Sequence, residues 1–172
     1  KTGSKGGMRP APWLLALGNA KTDRLRMLRP VAHCTSWSGL SSPLVYKGSL
    51  FTIPQGKYKV ADGEVVLQVD LDSLASKTYA FDQPAMNDVT VSDEYVFTCN
   101  TLNNSINRCR IEDGDLSKVA LEGVYVTKIV WREGSLYAFG LSLDGNSSMI
   151  YCYDEDLALK ETGRCTDTMP KA

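Results

Sequence analysis

What most constrains this chain is a short-strand pattern that recurs along it. KGSLFTI (47–53), SDEYVFT (92–98) and EGSLYAF (133–139) each place a glycine or acidic turn just before a β-branched and aromatic run. Turn formers followed by strand formers read as the second arm of a hairpin. The three starts lie 45 and 41 residues apart. The next segments repeat as well: VVLQVDLDSL (65–74), INRCRIEDGDL (106–116) and MIYCYDEDL (149–157) each end in an acidic turn and a leucine. Leu74, Leu116 and Leu157 are 42 and 41 residues apart. A weaker fourth copy, WLLALGNAKTDRL, ends at Leu25, which is 49 residues before Leu74. The fullest copy, Glu133 to Gly163, reads strand, polar tip, strand, acidic turn, strand.

A period of about 40 to 50 residues filled with short strands resembles the blade of a β-propeller, unlike the helix pairs of other repeat classes. No Trp-Asp dipeptide of the WD40 type and no double-glycine kelch signature accompanies it. The resemblance implies an all-β fold of propeller-like repeats, about three and a half blades of short antiparallel strands over residues 13–163. Residues 1–12 are expected to be a basic flexible arm and 164–172 a tail. A single blade exposes an apolar face and must stack on a neighbour. Closing a ring takes about four blades. Two arrangements are therefore expected: part of a larger propeller completed by another segment or subunit, or a compact sandwich built from the same hairpins.

A chain of 172 residues with 43% hydrophobic and 23% charged residues suits one folded domain. Its net charge of −1 hides an imbalance. Residues 1–30 carry seven basic side chains against Asp23 alone, a balance of +6, while the remaining 142 residues carry 12 basic and 19 acidic groups, a balance of −7. Lys5, Arg9, Lys21, Arg24, Arg26 and Arg29 are thus candidates for partner binding. The arm either stays solvated or docks on nucleic acid, an acidic protein or the chain's own acidic body. The loop QGKYKVADGE offers a second contact site, with Lys57, Tyr58 and Lys59 as its candidates. The five-residue apolar run Trp13 to Leu17 is far short of the roughly 20 residues a spanning helix needs, so no membrane span is expected.

Candidate chemistry is sparse. His33 is the single histidine, and with Cys34 it supplies at most two ligands, so no metal site or other cofactor is expected. Serine and cysteine nucleophiles have no second histidine to act as base. Asp70/Asp72, Glu112/Asp113/Asp115 and Asp154/Glu155/Asp156 share one place in the repeat, which points to turn residues. Cys99 and Cys109 flank the tip NTLNNSINR and suit a cross-strand disulfide if they face each other; otherwise they are small buried thiols. Asn103 and Asn146 open N-x-S sequons between the second and third strands of their repeats. Trp13, Trp37 and Trp131, with tyrosines 46, 58, 95, 125, 137, 151 and 153, are enough to line a recognition surface as well as a core.

The leading function is a non-catalytic protein-interaction module joined to a larger assembly through its arm and open blade edges. A secreted or cell-surface carbohydrate-binding, adhesion or receptor protein is the alternative, and an enzyme ranks third. Intracellular and extracellular locations both stay open.

Overall fold

In the computed structural model, which describes residues 16–18, 25–27, 39–55, 65–82 and 86–166, every regular element is a strand. The chain divides into two units, 1–36 and 37–172. In the first, strands β1 (Ala16–Gly18) and β2 (Leu25–Met27) pair antiparallel, with Ala16 opposite Met27. The segments on either side of NAKTD are therefore paired strands.

The second unit holds three four-stranded antiparallel sheets, each a meander in which every strand pairs with its neighbour in sequence. Blade 1 is β3 (Gly39–Tyr46), β4 (Ser49–Gln55), β5 (Val65–Asp70) and β6 (Ser76–Ala80). Blade 2 is β7 (Met86–Val91), β8 (Tyr95–Asn100), β9 (Ser105–Arg110) and β10 (Leu116–Ala120). Blade 3 is β11 (Val124–Arg132), β12 (Ser135–Ser142), β13 (Ser147–Tyr153) and β14 (Leu159–Thr166). The fold is an all-β, propeller-type stack of about three blades.

Turn chemistry sets the hairpins. Lys47-Gly48 and Glu133-Gly134 all have positive φ, between 45° and 77°, as a two-residue type I′ turn requires. They join Tyr46 to its partner Ser49 and Arg132 to its partner Ser135. Blade 2 has no glycine there. Instead the Ser92 hydroxyl accepts hydrogen bonds from the N–H groups of Glu94 and Tyr95, and the Ser92 N–H bonds the Tyr95 carbonyl. Its two turn residues are therefore Asp93 and Glu94, so the repeats are offset by 46 and 40 residues and not by 45 and 41. That single residue matters, because a one-residue slip in a strand exchanges its two faces.

With this register Leu50, Val96 and Leu136 are equivalent, and so are Phe51, Phe97 and Tyr137. The acidic turns change in the same way. Leu74, Gly114 and Leu157 occupy the left-handed corner, with φ of 62°, 80° and 62°. Leu116 is instead the first residue of β10, opposite Cys109.

Two cores follow from the alternation. Phe51, Ile53 and Val66 of blade 1 meet Val89, Val91 and Val96 of blade 2. On the other face of blade 2, Phe97, Cys99 and Ile106 meet Val126, Leu136 and Ala138 of blade 3. Strand β8 thus serves both cores, and all six of its residues are buried. Each first strand carries a bulge, between Ser41 and Leu44 in blade 1, and at one shared level between Met86 and Asp88 and between Val126 and Lys128 in blades 2 and 3. Such bulges bend a strand and increase its twist.

Polar bonds fix blade 3 on blade 2. Asp88, 2% exposed, accepts hydrogen bonds from Lys128 Nζ at 3.0 Å and from the Ile129 N–H at 3.0 Å. The Trp131 N–H donates to Thr90 Oγ1 at 3.0 Å. Farther out, the Arg108 guanidinium lies 4.3 Å from the centre of the Tyr95 ring and donates to the Glu155 carbonyl at 2.5 Å and to Asp156 Oδ1 at 2.8 Å. Asp88→Ala leaves the buried Ile129 N–H without its acceptor, and is expected to lower the unfolding free energy by about 2 kcal/mol. Asp88→Asn keeps an acceptor and is expected to cost less. Urea unfolding together with exchange of the Ile129 amide checks both.

Candidate functional site

The same sheet face is treated differently in the three blades. In blade 1 it presents Phe51, Ile53 and Val66, which are 3%, 1% and 0% exposed. In blade 2 the equivalent Phe97, Cys99 and Ile106 are each 0% exposed. In blade 3 the equivalents are Tyr137, Phe139 and Ile150, and all three are only partly buried. Phe139 pairs with Ile150, and Tyr137 sits between Val130 and Cys152 across the sheet. Around them Tyr125 and Leu141, each 48% exposed, are cross-strand partners. Single exposed apolar residues are ordinary, but a contiguous apolar face marks a place for binding.

A second concavity, of about 340 Å³, lies between blades 1 and 2 and is lined by Tyr46, Lys47, Gln68, Tyr79 and Asp93, among others. Its polar groups are already engaged. Asp93 accepts hydrogen bonds from Lys47 Nζ and from the Tyr46 hydroxyl. The bond from Lys47, with that from Tyr46 behind it, holds the Asp93 carboxyl below its ordinary range. The Tyr79 hydroxyl donates to Gln68 Oε1 at 2.6 Å, and Gln68 Nε2 donates to Ser49 Oγ at 3.0 Å. These bonds tie strand to strand and blade to blade, and they bring together no nucleophile and base.

The acidic clusters close turns between third and fourth strands. Asp70 Oδ1 accepts from the Ser73 hydroxyl and from the N–H groups of Asp72 and Ser73, which lowers its pKa, the hydroxyl first. Asp113 Oδ1 takes the Asp115 N–H, and Asp154 Oδ1 those of Asp156 and Ala158. Among the described residues no three His, Cys, Asp or Glu side chains converge to hold a metal ion. No helix there is long and apolar enough to cross a membrane.

Several sequence candidates lie outside the described residues: Lys5, Arg9, Lys21, Arg24, Arg29, Lys57, Tyr58 and Lys59, together with His33 and Cys34. Arg26 is in β2, where only the backbone is described. Asn103 and Asn146 are exposed in the turns β8–β9 and β12–β13, the places expected for them.

Cys99 and Cys109 are free thiols and do not face each other. Cys99 is opposite Ile106 and Cys109 opposite Val96, which puts them three positions apart and in different cores. The cross-strand disulfide is not formed, because the tip is a four-residue turn, 101–104, that sets this register. Burial pushes the Cys99 thiol up to about 12 and raises that of Cys109. Thiolate is the reactive form. Of the four described cysteines, native-state alkylation is therefore expected to reach the exposed Cys165 first and the half-buried Cys152 next, while Cys99 and Cys109 resist until unfolding; peptide mapping over time reads the order.

Of the aromatic residues, Trp131 is stacked 5.3 Å from Phe97, and Tyr95 and Tyr153 are buried. Tyr125 and Tyr137 lie on the open face. Phe139 and Ile150 lie there as well; alternation in YAFGL marks Phe139, but the register is needed to show that none of the described blades covers it.

No protein-family model matches the chain, and no curated protein does. Solved structures are similar in fold. Apo AztD from Citrobacter koseri superposes with a TM-score of 0.57 over 87% of this chain and 41% of its own, at 14% identity. A chain of a nidogen/laminin complex gives 0.55 over 75% and 48%, at 13% identity. The computationally designed protein Ika8 gives 0.53 over 73% and 36%, at 15% identity. Likeness at these identities concerns the fold, a propeller, of which this chain spans less than half the length of each structure.

Proposed function

We propose that the chain is a non-catalytic protein-interaction module that works as a subunit of a larger assembly. The observation that carries this reading is the open apolar face of blade 3, whose equivalents in blades 1 and 2 are buried. The concavity between blades 1 and 2, with its polar groups bound to one another, supports no reaction. The basic arm, through Lys5, Arg9, Lys21, Arg24, Arg26 and Arg29, and the loop with Lys57, Tyr58 and Lys59 add contact sites, and an acidic protein or nucleic acid suits the arm. Purification of the natively expressed protein is expected to bring down partner proteins in stoichiometric amounts. A free monomer in gentle lysates would sink the reading.

A secreted carbohydrate-binding or adhesion protein is the second reading, favoured by the exposure of Asn103 and Asn146. Glycans at both sites, seen as a mass shift on amidase treatment, would support it; unmodified asparagines would remove its main argument.

A further inference from the structure

We infer that Thr98 and Asn107 hold one water molecule as a fixed part of the interface between blades 1 and 2. The site is independent of the interaction-module reading. Thr98 in β8 and Asn107 in β9 stand directly opposite each other. Thr98 is two positions from Val96, and Asn107 two from Cys109, so alternation puts both side chains on the face that packs against blade 1. Both are closed off from solvent, at 0% and 3% exposure. Yet the Thr98 hydroxyl and Asn107 Nδ2 have no hydrogen-bond partner among the described residues. Turning the Asn107 amide over does not help. Its Oδ1 is the acceptor for the Ser105 hydroxyl at 3.4 Å, so the exchange only moves the unpaired position from nitrogen to oxygen.

The neighbours on this face are engaged or apolar. Asn100 and Ser105, the next pair toward the turn, bond to the turn itself: Asn100 Oδ1 accepts from the Leu102 N–H at 2.8 Å, and the Ser105 hydroxyl donates to Asn103 Oδ1 at 3.0 Å. The next pair the other way, Val96 and Cys109, belongs to the apolar core, as does Val89 on the far side of Thr98. The polar choice is particular to blade 2. Equivalent pairs are Thr52 with Leu67 in blade 1 and Ala138 with Tyr151 in blade 3, and neither sets two small polar side chains against each other.

A water molecule suits this pair. Directly opposite residues of a sheet have Cβ atoms about 5 Å apart. Two hydrogen bonds of about 2.8–3.0 Å through one oxygen bridge such a gap. The amide nitrogen only donates, whereas the hydroxyl both donates and accepts, so the water accepts from Asn107 Nδ2 and exchanges a bond with Thr98 in either direction. Buried waters are found where they satisfy polar groups that folding would otherwise leave bare.

Two measurements on the full chain test this. In a high-resolution crystal structure, one water is expected within hydrogen-bond distance of both atoms; a site without it would overturn the inference. The second is a double-substitution cycle followed by urea unfolding. With a shared water, Thr98→Val strands the Asn107 amide and Asn107→Leu strands the Thr98 hydroxyl, so each is expected to lower the folding equilibrium constant about tenfold. Together they leave neither group to satisfy, and the double variant is expected within about threefold of the parent. Ser105 keeps its bond to Asn103 throughout. Without a guest each single change would remove a bare polar group, so single variants as stable as the parent, or more stable, would overturn the inference. Losses that simply multiply in the double variant would do the same. Should Asn107→Leu fail to fold, crystals of two other variants decide: the water is expected to persist in Thr98→Ser, which keeps the hydroxyl, and to be lost in Thr98→Val. Its presence in Thr98→Val would overturn the shared site.

Discussion

Phe97→Ala is expected to lower the unfolding free energy by about 3–5 kcal/mol, the range for removing a fully buried aromatic ring. Phe97 is 0% exposed and joins the two blades on either side of their shared core. Its ring stacks on Trp131 at 5.3 Å with an interplanar angle of 14°, and lies 6.0 Å from Tyr95. The Trp131 backbone is held by the bond from its N–H to Thr90, and the Tyr95 ring lies under Arg108. Urea unfolding followed by tryptophan fluorescence measures the loss. A change below about 1 kcal/mol would mean that the interface between blades 2 and 3 is not formed as described.

Gly140→Ala is expected to cost about 3 kcal/mol, near the upper end for overpacking, without removing any contact. Gly140 lies in β12 opposite Val126, beside the bulge of β11. A methyl group there would sit 2.4 Å from Val124 Cγ1 and 2.6 Å from the Tyr125 carbonyl oxygen. The side chain can turn aside, but the backbone oxygen belongs to the β11 ladder and can move only with its strand. Gly163 in β14 provides the control, because its nearest atoms are 3.9 Å away. Gly163→Ala is expected to stay within about 0.5 kcal/mol of the parent. Equal effects at the two positions would contradict the close approach of β11 to β12.

Much of this fold is legible in residue order. Short aromatic and β-branched runs between turn formers mark hairpins, and a period near 40 residues groups them into blades. What residue order hides is register. Ser92 makes a turn through its hydroxyl where the other repeats use glycine, so an alignment led by glycine and acidic residues slips by one position in blade 2. Gly114 takes the corner held elsewhere by Leu74 and Leu157, so matching leucines misplaces Leu116. These slips are small in sequence, but each reverses which side chains point toward which neighbour. The acidic turns were readable because a carboxylate capping backbone N–H groups is a local device. The open face was not, since it is defined by what fails to lie against it.

The burial of β8 on both faces also bears on how the molecule comes apart. Blade 2 is held by two interfaces, whereas among the described blades β3–β6 and β11–β14 each share only one with it. In a stack governed by nearest neighbours, loss of an outer blade sacrifices one interface and loss of the middle blade sacrifices two. Opening should then begin at a margin and travel inward, with Val96, Phe97 and Thr98 last to exchange their amide protons. A partner seated on Tyr137 and Phe139 would move one such margin outward, so that assembly and resistance to unravelling become the same event.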